Sequence, residues 1–567
     1  MLARPRLAFA ALAAALAVAA CGRKQDDDAP LAFVPADTPY VFANREVIPD
    51  AIVDSWSRQM QAIWPGIMGM YEKMLTSIPA DKEVDEATRA RVETAQRVIK
   101  ALIAEMKPRD TPAKWAEVGL GPKSRAAVYG VGLVPVVRIE LADPDAFRAM
   151  VARIEAASGT KLGALDVDGQ PTWTIDVDEV RGLIAIEGRH LVASVLPVKA
   201  EKALLRSVLG LDRPGSNLAD AGSLAGLEKA EGYEPYGAGW IDLRRVVALV
   251  DKDPGYRAFA ALGDQPTPAL DDVCRRELDG LFAQMPRAVF GYTRLEAKHM
   301  EAAMRLDLAA PIAQSLQALS IPPPGSDAPT GALYDIALSL PVLKLKDFLL
   351  ARIEPVVATP YQCQAFAEWN TKAVELKGQL SQFVPPPLSD FTGLRLTLDR
   401  FSWPADGNPD LAARLLVAST NPAAIVGMAQ LAVPALAQLQ IPADGTAVTL
   451  PDGVIPNASG FLPSVRAAMN AKALALASGD GDLAAYLGAP AASDGQLLRI
   501  NFTGAFYTLM ADMMGRFATM MPAQNQADLA SQRELYAMYA KWIRSADVRV
   551  NATAKGLEVV QTMELAP

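Results

Sequence analysis

The end of the chain resembles its middle, and this internal repeat limits the possible folds more than any other feature. Residues 276–285 and residues 533–543 each predict a helix that begins Arg-Glu-Leu. Two strands are predicted after each helix, and both segments close on Ala-Pro, at Pro311 and Pro567. The predicted strands are 287–295 and 300–308 in the first copy and 546–552 and 557–565 in the second. Shared length, element order and anchor residues indicate a duplication.

Earlier elements of the two halves also match. The matching elements are strands 138–141 and 414–418 with the helices after them (145–157 and 423–439), strands 190–195 and 473–478, and strands 239–243 and 497–502. Asp143 and Asn421 precede the matched helices, and Asp242 and Asn501 end the last pair of strands. Asx residues at these positions are suited to cap the following helix.

We therefore predict an α+β protein of two duplicated units, each an antiparallel-rich sheet covered by helices. The first repeat is placed at residues 31–311 and the second at 328–567. Between them, residues 312–327 contain three consecutive prolines and predict a semi-rigid linker. Apolar residues at helical spacing predict helical caps, which are 49–77 and 83–106 in the first unit and 344–382 in the second.

The N-terminus predicts a bacterial lipoprotein signal. Arg4 and Arg6 precede an uncharged apolar stretch at residues 7–20, which is too short to span a bilayer. The sequence Val-Ala-Ala-Cys at residues 18–21 resembles a lipobox. It implies a signal peptide at residues 1–20, a Cys21 that carries diacylglycerol and palmitate, and a tether over residues 21–30. The alternative is an ordinary secretory signal that leaves a free thiol at Cys21.

The predicted location is the cell envelope. The residue after Cys21 is Gly22. It differs from the aspartate that proteobacterial lipoproteins use at this position as a signal for retention in the inner membrane. By that rule, the periplasmic face of the outer membrane is favoured, with the lipid anchor contacting the membrane.

Composition bears on the class of partner. The formal net charge is -9, with 51% hydrophobic and 21% charged residues, which is typical of a globular protein. Nucleic acid is not expected as a partner, because phosphate binding needs clustered Lys and Arg. Residues 415–443 carry no charge but contain Pro422 and Pro434. They predict a core helix, with a membrane span as the alternative.

Two cysteines remain besides Cys21. In an oxidising periplasm, Cys274 and Cys363 can pair as a disulfide; the alternative is two buried thiols.

Three short motifs resemble a known group of proteins. They are residues 34–38 (Val-Pro-Ala-Asp-Thr), 222–224 (Gly-Ser-Leu) and 240–243 (Trp-Ile-Asp-Leu). Together they resemble a domain-of-unknown-function family of uncharacterised secreted and lipid-anchored bacterial proteins built on repeated strand–helix units. The resemblance covers about half of the chain and implies no catalytic residue.

No recognisable catalytic, cofactor or metal motif is present in the sequence. His190 and His299 lie in predicted strands and are interpreted as surface or edge histidines, not as a metal site. A Ser-x-x-Lys motif runs from Ser158 to Lys161, but its serine closes a predicted helix, whereas the acyl-transferase serine opens one.

Two side-chain clusters leave alternatives open. Four aspartates lie on one face of a predicted hairpin and suit either solvent or calcium: Asp166, Asp168, Asp176 and Asp178. Methionines and one phenylalanine share a helix and suit core packing, cuprous copper, or a lipid or partner groove: Met510, Met513, Met514, Phe517, Met520 and Met521.

The favoured function is that of a non-enzymatic, lipid-anchored envelope protein that binds a partner or an apolar ligand. The alternative is a periplasmic hydrolase or transferase with an unfamiliar site. A cleft of convergent Asp, Glu, Ser or Lys side chains would favour the enzyme, and a long apolar groove would favour the binding protein.

Overall fold

The computed structural model describes residues 28–76, 86–177, 179–250, 252–253, 270–327, 329–404, 409–451, 454, 464–479, 481–493, 495–520 and 523–566. The predicted signal peptide and Cys21 lie outside these residues, as do Asp178 and Met521. The chain is an α+β protein with 42% helix and 30% strand, and its strands pair antiparallel. This fold class was predicted.

The chain divides into two compact units. The first comprises Met1–Phe282 and Pro286–Ala302, and the second comprises Ala283–Met285 and Ala303–Pro567. The division falls inside strand β10 (His299–Asp307).

The first unit begins with a single 3-10 turn at Pro30–Phe33. Its strands are β1 (Tyr40–Ala43), β2 (Ala126–Val131), β3 (Val134–Glu140), β4 (Gly163–Val167), β5 (Gln170–Val177), β6 (Val180–Glu187), β7 (His190–Pro197), β8 (Ala238–Asp242) and β9 (Arg287–Leu295). Its helices are α1 (Asp50–Thr76), α2 (Glu86–Met106), α3 (Pro112–Ala116), α4 (Pro144–Ser158), α5 (Lys202–Leu209), α6 (Leu218–Ala221), α7 (Ser223–Glu231), α8 (Leu243–Leu249) and α9 (Asp272–Gln284).

The strand order in the first unit is β4-β5-β6-β7-β3-β2-β1-β8-β9. One side of β3 is covered by α2 and α4, because Val98 and Phe147 pack in one cluster with Val137 and Ile139. Asp143 caps α4 as predicted, since its carboxylate accepts hydrogen bonds from two backbone N–H groups of the first turn.

The second unit contains the elements that follow β10 in the chain. Its strands are β11 (Tyr334–Ser339), β12 (Phe391–Ser402), β13 (Asp410–Ser419), β14 (Val448–Thr449), β15 (Val465–Met469), β16 (Ala473–Ser478), β17 (Gln496–Thr503), β18 (Ile543–Thr553) and β19 (Gly556–Leu565). Its helices are α10 (Ala310–Gln317), α11 (Val342–Ala358), α12 (Ala367–Leu380), α13 (Pro422–Ala432), α14 (Leu483–Gly488), α15 (Gly504–Met520) and α16 (Ala523–Trp542), and 3-10 turns lie at Gln364–Phe366, Leu388–Asp390 and Pro434–Leu436.

The strand order in the second unit is β14-β15-β16-β13-β12-β11-β17-β18-β19. The closing helix and strand pair predicted at residues 533–565 corresponds to α16, β18 and β19.

Three details of the second unit differ from the sequence-based prediction. The helix predicted at 423–439 ends at Ala432, because Pro434 has no N–H to continue it. Asn501 does not cap a helix: it lies buried in β17, and its amide donates to the Ala546 carbonyl on β18. The segment predicted as a spacer is packed instead, since it contains α10 and the buried residues Gly325 and Ser326.

The uncharged stretch at 415–443 forms the end of β13, helix α13 and the turn Pro434–Leu436. Within the described part of the chain, no helix combines the length with the apolar character that crossing a bilayer requires.

Candidate functional site

The central sheet of the second unit has one polar face, and that face is the buried one. Two rows of side chains cross four neighbouring strands, β12, β11, β17 and β18. We call these rows the polar ladder: Thr397, Asp335, Asn501 and Asp547 in the first row, and Arg395, Ala337, Arg499 and Arg549 in the second. All of them except the partly buried Arg549 are buried. Antiparallel sheets that are covered on one side usually bury their apolar face. We call this sheet inverted, because it buries its polar face instead.

Arg395 is the centre of the first ion pair in the polar ladder. Only 1% of its surface is exposed, and its Nε and Nη2 donate to the two carboxylate oxygens of Asp335 at 3.0 and 2.8 Å. Thr397 Oγ1 also donates to Asp335, at 3.2 Å, and lies 2.9 Å from the Tyr486 hydroxyl. The buried charges are therefore paired and hydrogen-bonded, as burial of charge requires.

A second buried pair lies two strands away. Arg499 Nε donates to Asp547 at 2.7 Å, and its Nη1 donates to the Ser326 carbonyl at 3.1 Å. Asp547 also accepts from Asn501 at 3.3 Å and from Arg549 at 2.7 Å.

The segment at 323–326 explains why the polar face is covered. Its carbonyls accept from the arginines of the ladder: Pro324 from Arg395 and Ser326 from Arg499. Tyr486 of α14 lies over the same face, with its ring 4.7 Å from the Arg395 guanidinium carbon. The polar ladder therefore holds its cover through directional bonds, and the apolar side chains are left on the opposite face.

The opposite face of these four strands is almost entirely apolar. We call it the apolar face, and it consists of three rows of four residues: Leu398, Tyr334, Phe502 and Ala546; Leu396, Ile336, Ile500 and Val548; Leu394, Leu338, Leu498 and Val550. None of these twelve side chains carries a charge. Ala546 is buried, ten of the others are partly exposed, and Leu396 has 40% of its surface exposed. An open apolar patch of this kind is typical of an interaction site.

Six aromatic residues form a connected cluster at one end of the apolar face. We call this the aromatic cluster, and it comprises Tyr334, Phe502, Phe506, Tyr507, Tyr536 and Tyr539. Tyr334 stacks on Phe506 at 5.1 Å, and Tyr507 contacts Tyr539 at 5.3 Å between ring centroids. All six side chains are partly exposed. Aromatic rings offer large apolar surfaces with a polar tip on each tyrosine.

Two tyrosine hydroxyls of the aromatic cluster, those of Tyr507 and Tyr334, stay protonated. Partial burial raises the pKa of Tyr507, and the nearby Tyr539 and Tyr536 raise it further. Partial burial and the Asp335 carboxylate likewise raise the pKa of Tyr334. At neutral pH these phenols therefore act as neutral hydrogen-bonding groups.

Two helical hairpins leave the sheet at opposite ends. α11 follows β11, α15 follows β17, and β11 and β17 are antiparallel neighbours. The hairpin of α11 and α12 carries exposed apolar residues, including Trp369 at 68% and, just after α12, Phe383 at 82%. In α15, Met510, Met513 and Met514 are only partly buried and Phe517 is exposed. This side of α15 is therefore partly open to solvent.

A separate buried polar cluster lies in the first unit. The Arg138 guanidinium is fully buried, and its Nη2 donates to the Leu209 carbonyl at 2.6 Å. Its Nη1 lies 3.3 Å from both Glu187 and His190 Nδ1, and its guanidinium carbon lies 3.8 Å from the centre of the Phe33 ring. His190 is buried, so its interpretation as a surface or edge histidine is wrong.

His190 makes the stability of the first unit depend on pH. Burial is the larger cause of a pKa lowered from 6.5 to about 3, and the positive charges of Arg138, Arg125, Arg189 and Arg213 contribute the rest of this shift. The unfolded chain binds more protons than the folded chain between these two values, so stability falls as the pH drops below 6.5.

We expect the His190→Gln variant to lose this dependence. The parent protein should lose about 1.4 kcal/mol of unfolding free energy per pH unit below 6.5 through this residue. The variant should show a shallower slope from pH 6.5 to 5 in urea denaturation followed by circular dichroism. Equal slopes in the two proteins would mean that His190 titrates normally in the folded state.

Most of the other residues that the sequence analysis singled out are not brought together into one site in the described part of the chain. Asp168 pairs with Lys202 and Arg206, and Asp176 pairs with Arg181. Asp168 and Asp176 therefore meet cationic side chains, and the described chain holds no group of three or more His, Cys, Asp or Glu that could bind a metal.

The Ser-x-x-Lys motif makes only local contacts. Ser158 Oγ donates to the Glu155 carbonyl, and Lys161 pairs with the Glu155 carboxylate. Ser158 is the last residue of α4, as expected from the sequence. Neither side chain faces a partner that would activate the serine.

Cys274 and Cys363 are joined in a disulfide, and both are buried. A disulfide is typical of proteins that fold outside the reducing cytoplasm.

The polar ladder and the apolar face were not predicted as a site. Their signal is a period-2 alternation of polar and apolar residues, most visible in Arg395-Leu396-Thr397-Leu398-Asp399 on β12. This alternation predicts a strand with two unlike faces.

Comparison with known proteins adds no relative: no protein-family model, curated protein or solved structure matches this chain. The resemblance to a domain-of-unknown-function family therefore stays a hypothesis.

Proposed function

We propose that this protein is a lipid-anchored envelope protein that binds an apolar ligand on the apolar face of its second unit, without catalysing a reaction. The observation that carries the proposal is the inverted sheet. Eleven of the twelve side chains on the apolar face are partly open, while charged residues are buried behind them.

Energetics support binding at this face. Apolar surface left in water is unfavourable by about 25 cal/mol per Å², so covering it with a ligand releases free energy. The aromatic cluster adds partly exposed rings and four phenolic hydroxyls at one end, and such polar groups orient a ligand in a mostly apolar site.

The enzyme alternative has less support. The buried carboxylates of the polar ladder, Asp335 and Asp547, are held by arginine and lie beneath their cover. A general base needs access to its substrate, and these groups are committed to structural pairs.

Binding at the apolar face is tested with Leu396→Gln. Leu396 is half-exposed, so the variant should fold, but it places an amide in the middle row of the face. We expect the dissociation constant for N-phenyl-1-naphthylamine, followed by its fluorescence, to rise about tenfold, because about 1.4 kcal/mol of apolar contact is lost.

The matched control for this experiment is Met70→Gln. Met70 lies on α1 in the first unit and is 42% exposed, close to the exposure of Leu396. Its variant should bind the probe like the parent protein. Equal affinities of all three proteins, or no probe binding by the parent, would refute the proposed site.

The lipid anchor is tested with Cys21→Ser. Loss of the thiol removes the atom that would accept the diacylglycerol, and each buried CH₂ contributes about 0.8 kcal/mol to anchoring. We expect the variant to lose metabolic labelling by radioactive palmitate and to leave the membrane fraction or accumulate as precursor. Unchanged labelling would contradict lipidation at Cys21.

We also propose that the two units are copies of one ancestral unit. Their strand orders support this: β6-β7-β3-β2-β1-β8-β9 in the first and β15-β16-β13-β12-β11-β17-β18 in the second. In each unit, two helices follow the strand that comes first in the chain. These helices are α1 and α2 after β1, and α11 and α12 after β11. An experimental structure whose units did not superpose strand by strand would contradict a duplication.

A further inference from the structure

The size of the apolar face limits what can occupy it. Four strands about 4.8 Å apart and three rows about 6.8 Å apart give an area of about 400 Å². A stable protein–protein interface buries about 800 Å² on each partner, which is about twice as much. The face is therefore small for a folded partner or a second copy of this chain, and it suits one or two hydrocarbon chains.

The chemistry of the face is also that of a hydrocarbon site. A protein interface of ordinary composition has about one hydrogen bond per 100–200 Å². Across the twelve positions of the apolar face, the Tyr334 hydroxyl is the sole side-chain hydrogen-bonding group, and it lies in an end row. The two inner rows, from Leu396 to Val548 and from Leu394 to Val550, offer only aliphatic surface.

The polar groups next to the face lie at one end. Tyr334 belongs to the row that meets the aromatic cluster, and Tyr507, Tyr536 and Tyr539 supply three more hydroxyls there. The opposite row, formed by Leu394, Leu338, Leu498 and Val550, has no polar side chain. A molecule that matches this gradient has a long apolar tail and one polar end.

We propose that the occupant is the acyl chain of a membrane lipid, lying across the aliphatic rows with its polar end at the aromatic cluster. This inference rests on the proposed function and specifies its ligand. Hydrocarbon covers the partly exposed leucines, and the tyrosine hydroxyls hydrogen-bond to the carboxyl or ester oxygens of the lipid.

The test uses the full chain held in amphipol and palmitate that carries a photoreactive diazirine near the end of its chain. We expect crosslinks on peptides from β12, β11 and β17, competition by unlabelled palmitate, and about tenfold weaker labelling in Leu396→Gln. The labelling of Met70→Gln should equal that of the parent protein.

The orientation is tested with the double variant Tyr536→Phe/Tyr539→Phe. Both rings remain, so apolar contact is kept, but two hydroxyls are removed. We expect about fivefold weaker competition by palmitate, because a hydrogen bond to the polar end is lost, whereas Met70→Gln should compete like the parent protein.

Failure of this inference is distinguishable from failure of the proposed function. If the naphthylamine probe binds and responds to Leu396→Gln while palmitate neither labels nor competes, the apolar site stands and the acyl ligand is refuted. Crosslinks that are spread over both units would also overturn the inference. So would the finding that the protein's own attached acyl chain keeps palmitate off the apolar face. Equal palmitate competition in the double tyrosine variant would overturn the orientation.

Discussion

The Asp335→Ala variant should lose about 3–5 kcal/mol of unfolding free energy, because it leaves the buried Arg395 guanidinium without its carboxylate. Arg395 is 1% exposed and gives two hydrogen bonds to Asp335, so water cannot replace the missing partner without opening the cover of the ladder. Thr397 loses an acceptor as well. Urea denaturation followed by circular dichroism should show a lower midpoint for the transition of the second unit.

The exposed pair Arg400–Asp410 provides the matched control. It joins β12 to β13 with two hydrogen bonds at 2.7 and 3.1 Å, but both side chains are solvent-exposed. Asp410→Ala should therefore leave the midpoint nearly unchanged. Similar losses of unfolding free energy in Asp335→Ala and Asp410→Ala would mean that burial does not determine how much the ion pairs of the polar ladder stabilise the protein.

A second substitution separates an orphaned charge from a merely missing contact. Arg395→Met in the Asp335→Ala background removes the unpaired guanidinium and keeps an apolar side chain of comparable length. Buried ion pairs replaced on both sides by apolar groups are often as stable as the original. The double variant should therefore recover much of the stability lost in Asp335→Ala, and no recovery would argue against this mechanism.

Local sequence patterns predicted the elements of this fold well, because strands and helices follow from short periodicities and capping residues. Asp143 and Asp242 each accept backbone hydrogen bonds at the start of the helices they were predicted to cap. Asn501, in the matched position of the second unit, instead reaches across to Ala546 and Asp547 on β18. A cap and a cross-strand bond use the same side-chain chemistry, and only the neighbouring strand decides between them.

The inverted sheet could not be predicted in the same way. Alternation on β11 and β12 predicts that Asp335 and Arg395 share one kind of face and Ile336 and Leu396 the other. Which face becomes buried depends on what covers it, and the cover comes from the segment at 323–326 and from Tyr486, which lie outside these strands. Three consecutive prolines there predicted a spacer, because the pattern contains no information about its carbonyl partners.

Gly325 marks the place where that segment meets the polar ladder, and Gly325→Ala should be strongly destabilising. Its φ of +79° lies in the left-handed region, where an added Cβ is unfavourable by roughly 1–2 kcal/mol. That Cβ would also overlap the Arg395 guanidinium, which is fixed by Asp335 and by the Pro324 carbonyl. Relief requires either moving the segment off the ladder or breaking the ion pair, so we expect a total loss of about 3–5 kcal/mol.

Gly331→Ala isolates the steric part of this effect. Gly331 lies six positions later with a φ of +74°, but a Cβ there meets no atom within 4 Å. Its variant carries the same backbone strain and should lose only about 1–2 kcal/mol. The difference in unfolding free energy between the two variants measures the contact with Arg395. This difference should vanish when each glycine substitution is made separately in an Arg395→Met background, because the guanidinium is then absent. A difference that persisted in that background would place the conflict at Gly325 with a neighbour other than Arg395.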